Sequence, residues 1–244
     1  MFFKESTKKS FKWLLAELSV VVLGILIAFQ IDNYREYLDQ RDEERLVLAE
    51  LLIDLKEDQA RIDTAVAAKT AQLKGIDGFI GFLNKEARTP EDYAHSFRPI
   101  LRNLGYFPID HTFEGLQANG RMFLISDKEL AKALLKHYDR TRPLLLGVQE
   151  VIGDYWAELR TVSSADVFFS VPGLPNEKYQ TVIVDNQYSL AVTMPVDHAP
   201  RNDKLVPLLG NMRASITNYL NLSRLLKEES QDIEAKVRAH LEQL

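Results

Sequence analysis

Five histidines, at 95, 111, 137, 198 and 240, are the residues from which acid-base or metal chemistry would start. None stands in an H-E-x-x-H run or in the paired histidine-carboxylate spacing that sets two ligands on one helix face. The densest group is Asp110-His111-Thr112 with Glu114 nearby, where a carboxylate would orient an imidazole for base catalysis. Adjacent helical residues diverge by about 100°, however, and Asp110 is placed to cap a helix, so the group reads as capping. Ser126 has no G-x-S-x-G context and reads as another cap. The stretch His137-Tyr138-Asp139-Arg140 reads as a helix surface with Tyr138 turned inward. Asp32, Glu36, Asp39, Asp42, Glu43 and Glu44 would attract cations, but at this density along one helix they read as a solvated face. There is no Walker loop, no dinucleotide fingerprint and no aromatic-basic platform for nucleic acid. The expectation is a protein that is not an enzyme, with no catalytic residue, metal ligand or cofactor.

One further acid matters because of where it stands. Glu17 lies within residues 13–31, nineteen positions of which only Glu17, Ser19 and Gln30 are strongly polar. At ~1.5 Å per residue such a helix spans ~29 Å, the thickness of a bilayer's hydrocarbon. A buried core helix or a cleaved signal peptide are the alternatives. The run is long for a signal peptide and no small-x-small cleavage site follows it, so it is expected to remain as a signal anchor that crosses the membrane once. Lys4, Lys8, Lys9 and Lys12 precede the run, whereas residues 32–45 hold six acids against Arg35, Arg41 and Arg45. Lysine and arginine are retained on the cytoplasmic side. The N-terminus is therefore expected inside a bacterial inner (plasma) membrane and the bulk of the chain outside it, periplasmic in a Gram-negative cell.

An ionised group at mid-bilayer costs roughly 2.5 to 3.5 kcal/mol, less near an interface. Glu17 reads in two ways: as a proton site or polar contact with a partner helix, or as a carboxylate reaching the headgroups and pairing with Lys9 or Lys12. Spacing supports a partner helix. Ala16, Val20, Gly24 and Ala28 recur every four residues, a small-x-x-x-small pattern through which two backbones approach closely. Glu17, Val20, Gly24 and Ala28 are the candidate association residues.

The 244 residues are 46% apolar, enough for a packed core, and include no cysteine, which excludes disulfides and thiolate chemistry. The net charge of −5 divides into +2 on residues 1–31 and −7 on the rest. That acidic remainder argues against nucleic acid as a partner. Past the apolar run, Gln30, Asp32 and Asn33 mark emergence into water with Tyr34 and Tyr37 as interfacial aromatics. A three-four alternation continues through Leu38, Leu48, Leu52, Leu55, Ile62, Val66, Leu73, Ile76, Ile80 and Leu83, interrupted by Arg41, Arg45, Gln59 and Lys69. Such a seam predicts a long helix packed against the chain's own other helices, weakened at its end by Gly75, Gly78 and Gly81.

Beyond it, Thr89-Pro90-Glu91-Asp92 predicts a short helix to about Leu104, and Asp110 a second one ended by Gly120. Ser126 to Glu129 has capping-box spacing before a longer helix, which Pro143 kinks or restarts. The pattern breaks at "SVPGLPNEKY", and β-branched residues around Asp185-Asn186 predict a hairpin or irregular insertion. Asn202 or Asp203 starts a final helix with Leu205, Leu209, Met212, Ile216, Leu220, Ile233, Val237 and Leu241 on one stripe.

The phrase "GILIAFQIDN" after Glu17, then "LLIDLKED" at 51–58 and "TFEGLQANGRMFLISDKELAKALLKHYD" at 112–139, resembles a family of bacterial single-pass membrane proteins of unknown function with an N-terminal GILIAxQI[DN]N signal-anchor motif. The resemblance covers about a third of the chain and implies topology and a helical outer domain, not an activity.

The fold is expected to be mainly α: one N-terminal transmembrane helix continuing into a long helix, then an extramembrane helical bundle with a small irregular or β-hairpin insertion. Residues 1–12 form a cytoplasmic tail, 13–31 the span, 32–84 the juxtamembrane helix and 85–244 the extracytoplasmic domain, with the insertion at about 163–202. The expected role is that of a membrane-anchored structural or interaction protein. Its partners are the lipid bilayer and either another copy or another membrane protein. A ligand-binding sensor or accessory subunit is the alternative, its small molecule open; for a sensor, a tail of about a dozen residues would leave signalling to a partner helix.

Overall fold

The computed structural model describes residues 4–84, 96–101, 103–162, 166–169, 179–185, 190–195 and 202–244. The protein is mainly α. Helix α1, Lys4–Leu83, runs unbroken for 80 residues, a length of about 120 Å. Between Gly24 and Gly75 it contains neither glycine nor proline, so nothing in that stretch interrupts the hydrogen-bond ladder. The three later glycines do not end it either. A Cβ on Gly75 would lie 2.5 Å from the Cβ of Pro99, so this glycine lets the 3-10 turn Arg98–Leu101 sit directly on the helix.

Among the described residues four further α-helices follow: α2, His111–Ala118; α3, Lys128–Lys136; α4, Arg142–Val162; and α5, Asn202–Leu241. A π-helical turn, His137–Thr141, joins α3 to α4. Pro143, the second residue of α4, follows directly on that π-helical turn and supplies no N–H to it. The short helix expected up to Leu104 begins on residues outside the description; its described end is the 3-10 turn, where Pro99 removes a backbone donor.

Strands β1, Asp166–Phe169, β2, Tyr179–Asp185, and β3, Leu190–Pro195, form a sheet in the order β1-β3-β2, with β3 antiparallel to both neighbours. Val192 lies opposite Val167 on one side and Val182 on the other. Asn186, on which the sequence places a turn, is outside the described residues.

Helices α1 and α5 pack antiparallel. Polar contacts step along the pair: Arg41 Nη2 donates to the carbonyl of Gln243, just past the end of α5, at 2.9 Å, Gln59 to Ser230 at 3.1 Å, Lys227 to Asp63 at 2.6 Å and Arg213 to Asp77 at 2.7 Å. The buried line of α1 differs from the expected seam by a small rotation. Leu48, Leu55, Ile62, Ile76 and Leu83 are inside as expected, but their partners along the helix are Leu51, Asp58, Ala65, Gln72 and Phe79, with Leu52, Val66, Leu73 and Ile80 only half-buried. Leu51 and Leu52 are equally apolar, so residue type does not separate the two rows, and an aspartate at 58 looks like a break in the buried one. The bundle instead turns a polar-containing face inward.

Two apolar cores result. The first joins Ile62, Ile76, Phe79 and Leu83 to Phe97, Tyr106, Leu145, Ile152 and the first half of α5. Tyr155 and Trp156 pack against it. The second joins Leu48, Leu51 and Leu55 to Phe113, Leu130, Leu134, Tyr138, Ile233 and Val237. The two are stacked along α1, with Asp58 between them.

Candidate functional site

Every described side chain of α1 from residue 17 to residue 40 is exposed. Leucine, valine, isoleucine and phenylalanine point outward on all sides, with Val20 70% and Phe29 62% accessible. Around 18-residue windows this helix is apolar enough to cross a membrane, and none of that stretch is covered by the rest of the chain. An isolated apolar helix of this length exposed to water would be strongly disfavoured. Glu17 and Ala28 are exposed on it, and a Cβ built on Gly24 would meet nothing within 4 Å.

Among the described side chains of α1, the first that is buried is Glu44. Its Oε1 accepts from the Ser126 N–H at 2.6 Å and the Ser126 hydroxyl at 2.9 Å, and lies 2.9 Å from His240 Nε2. Ser126 Oγ is itself 3.1 Å from that same Nε2. A cleft of about 240 Å³ opens beside the cluster, bounded also by Tyr37, Arg41, Phe123 and Gln243. Serine, histidine and glutamate meet here, but serine and carboxylate share one ring nitrogen. A nucleophile relay needs them on opposite nitrogens. The arrangement is a clamp: it ties the end of α5 and the entry to α3 onto α1 where α1 enters the bundle.

This corrects the assignment of Ser126 as a cap. Asp127 caps α3 instead, accepting from the N–H groups of Glu129 and Leu130 at 2.8 and 3.1 Å. Asp110 likewise stands at the N-cap position of α2 without a side-chain capping bond. Its carboxylate takes Arg142 Nη1 at 3.1 Å, because an ionic partner outweighs a neutral backbone donor. His111 and Glu114 are exposed, so the Asp110-His111-Thr112 group is not gathered into a site. Thr112 instead donates its N–H to Asp54 at 2.9 Å.

Arg142 and Asp58 form the centre of the molecule. Asp58 is fully buried. It receives the Tyr106 hydroxyl at 2.7 Å, the Ile109 N–H at 2.9 Å and Arg142 Nη2 at 3.0 Å. Burial raises the carboxyl's pKa, opposed by the Arg142 charge and these donors. The guanidinium also lies 4.2 Å over the Tyr138 ring, which stacks on Phe113. Burial pushes the Tyr106 and Tyr138 hydroxyls well above their ordinary range.

Two other buried groups went unseen in the sequence. Lys69 donates to Asn103 at 2.7 Å and Gln72 at 3.2 Å, and desolvation lowers its amine to about 8. Such an amine is nucleophilic, but at 0% exposure no substrate reaches it. His137, assigned to a helix surface, is fully buried, with neither ring nitrogen hydrogen-bonded to protein. Burial, then the nearby Arg142 charge, lowers it to about 3, so it is neutral. His95 and His198 are outside the described residues. Among those described, no three histidine, aspartate or glutamate side chains converge as a metal would need.

Among the described residues, Glu44, Asp58, Asp110, Ser126 and Arg142 fasten elements together, and the apolar segment of α1 is exposed on all sides. Comparison with protein-family models, with curated proteins and with solved structures finds no match to the chain.

Proposed function

We propose that the chain is a membrane-anchored structural or interaction protein: α1 spans a bacterial inner membrane over residues 13–31, the N-terminus is cytoplasmic, and the helical domain stands in the periplasm. The strands within 163–202 are read as a small insertion in that domain. The observation that carries the reading is the contrast within one helix, apolar to Ile31 and bare from residue 17 to residue 40, then packed from Glu44 onward. The resemblance of "GILIAFQIDN" to a single-pass signal anchor adds to it. Association runs through the transmembrane face bearing Glu17, Val20, Gly24 and Ala28, toward another copy or another membrane protein.

Two measurements test this. The protein should stay in the membrane pellet after alkaline carbonate extraction; release to the supernatant would overturn the anchor. Purified in mild detergent it should carry a stoichiometric partner or be a homo-oligomer, and Gly24→Leu should reduce that assembly. A clean monomer across detergents, unchanged by Gly24→Leu, would overturn the interaction role. The second reading, a ligand-binding accessory subunit, rests on the cleft beside Glu44, His240 and Phe123.

A further inference from the structure

Helices α3 and α4 run into each other through the π-helical turn His137–Thr141. The backbone is weakest there, because a π turn works one extra residue into the helix and Pro143 supplies no N–H to it. Yet this is where the helix buries its chemistry. His137 is 0% exposed, and Tyr138, Thr141 and Arg142 are at 6% or less.

The histidine is the unfavourable choice among them. Both its ring nitrogens are buried without a hydrogen-bond partner, a loss that a leucine in the same place would not incur. Its ring meets the Tyr138 ring edge-on, with 4.9 Å between centroids. On the α5 side stands Glu229, 15% exposed at the rim of the bundle. Lys136 holds its Oε1 at 2.7 Å, whereas Oε2 is buried, unpartnered and 3.9 Å from His137 Nδ1. That separation is about an ångström too long for a hydrogen bond. On the α4 side stands Arg142, whose charge opposes a second cation on the ring and which is itself held by Asp58 of α1 and by Asp110. Asp139 and Arg140, in the turn itself, are exposed. As folded, the core has room for an imidazole and no place for an imidazolium.

We propose that the π-helical turn is an acid-responsive joint: protonation of His137 drives its ring out of the core toward Glu229, and the turn and the adjoining end of α3 open from α5 while α4 stays docked. What holds each side sets the direction. Arg142 fastens the start of α4 to Asp58, Asp110 and the Ile109 carbonyl, and Leu145 and Ile152 bury it in the first core. The end of α3 is tied to α5 by the pair of Lys136 with Glu229, whose carboxylate at the rim then receives the imidazolium. Acid and not base is the trigger, since the ring takes up its second proton near pH 6.5 once it is in water. The equilibrium for local opening should therefore rise about tenfold between about pH 7.5 and pH 5.5.

Hydrogen exchange on the full chain in detergent, corrected for the intrinsic effect of pH on exchange, reads this directly. Amides of residues 134–141 should lose about tenfold in protection between those two pH values, while those of 209–219 in α5 keep theirs. His137→Leu and His137→Gln, one apolar and one polar without a titrating ring, should each hold protection constant, and Glu229→Gln should reduce the loss several-fold. If one His137 variant fails to fold, the other decides. A loss that survives both His137 substitutions would assign the response to another group, Asp58 first. That result, a loss spread equally over α3, α4 and α5, an unchanged loss in Glu229→Gln, or no loss in the unsubstituted chain would overturn the proposal.

Discussion

The two halves of α1 obey opposite rules in one uninterrupted helix. From residue 17 to 40 the side chains are mostly apolar in the first half, and all are exposed; from Glu44 onward the inward face includes Glu44, Asp58, Lys69 and Gln72. Residues 17–31 make no packing contacts within the chain, and a stretch so apolar and so uncovered is suited to hydrocarbon rather than to water. The second meets water on one side and protein on the other, and tolerates buried charge because each charged group has partners in place. Polarity inside and apolarity outside are thus the expected signs of two different surroundings, not of one poorly sorted helix.

The sharpest way to break that contrast is to orphan the charge. Arg142→Ala leaves Asp58 buried without its cation and should destabilise the helical bundle by about 3 to 5 kcal/mol. Replacing both, Arg142→Met with Asp58→Leu, should lose much less, since no charge is then left unpaired. Chemical denaturation of the detergent-solubilised protein followed by tryptophan fluorescence distinguishes the two outcomes. Next in size is a charge in the other half. Leu23→Arg, near the middle of the apolar run, should lower membrane insertion by roughly 2.5 to 3.5 kcal/mol on insertion scales, read as loss from the carbonate-resistant pellet. Leu225→Arg, on the exposed face of α5, should stay within about 0.5 kcal/mol in stability.

His137 sharpens the same point through pH. It is neutral in the fold, with its pKa lowered to about 3, while an unfolded histidine takes a proton near pH 6.5. The contribution is intact above about pH 6.5 and falls as pH drops toward 3, amounting to a loss of about 2 kcal/mol between pH 8 and pH 5. Denaturation at these two pH values should show it, and His137→Leu should flatten that part of the dependence. A smaller effect than that of His137 is expected at an exposed ion pair: Lys227→Ala removes a pair with Asp63 whose side chains are 33% and 57% exposed. It should cost no more than about 1 kcal/mol and less in high salt.

Much of the helical framework was legible. Capping residues, Pro143 and the spacing of Leu205, Leu209, Met212, Ile216, Ile233 and Val237 marked α2 to α5, because periodicity and backbone chemistry are local properties. The polar interior was not legible. Asp58 continues the three-four spacing between Leu55 and Ile62, yet an aspartate there looks like an interruption until Tyr106, Ile109 and Arg142 are seen to converge on it. Ser126 and Asp110 were read as caps for the same reason: their nearest donors in sequence are local, and the partners that won, Glu44 and Arg142, lie 82 and 32 residues away.

The sequence by itself determined the long apolar helix, its lysine-rich start, the mainly helical composition and the four-residue spacing of Gly24 and Ala28, all of them properties of neighbours along one chain. Only the tertiary structure decided which face of α1 turns inward, that Glu44, Ser126 and His240 meet in a clamp, and that Leu46 and Ile53 stay uncovered. Those depend on which distant elements fold back onto the helix, and a side chain's surroundings are set by that closure rather than by its own type.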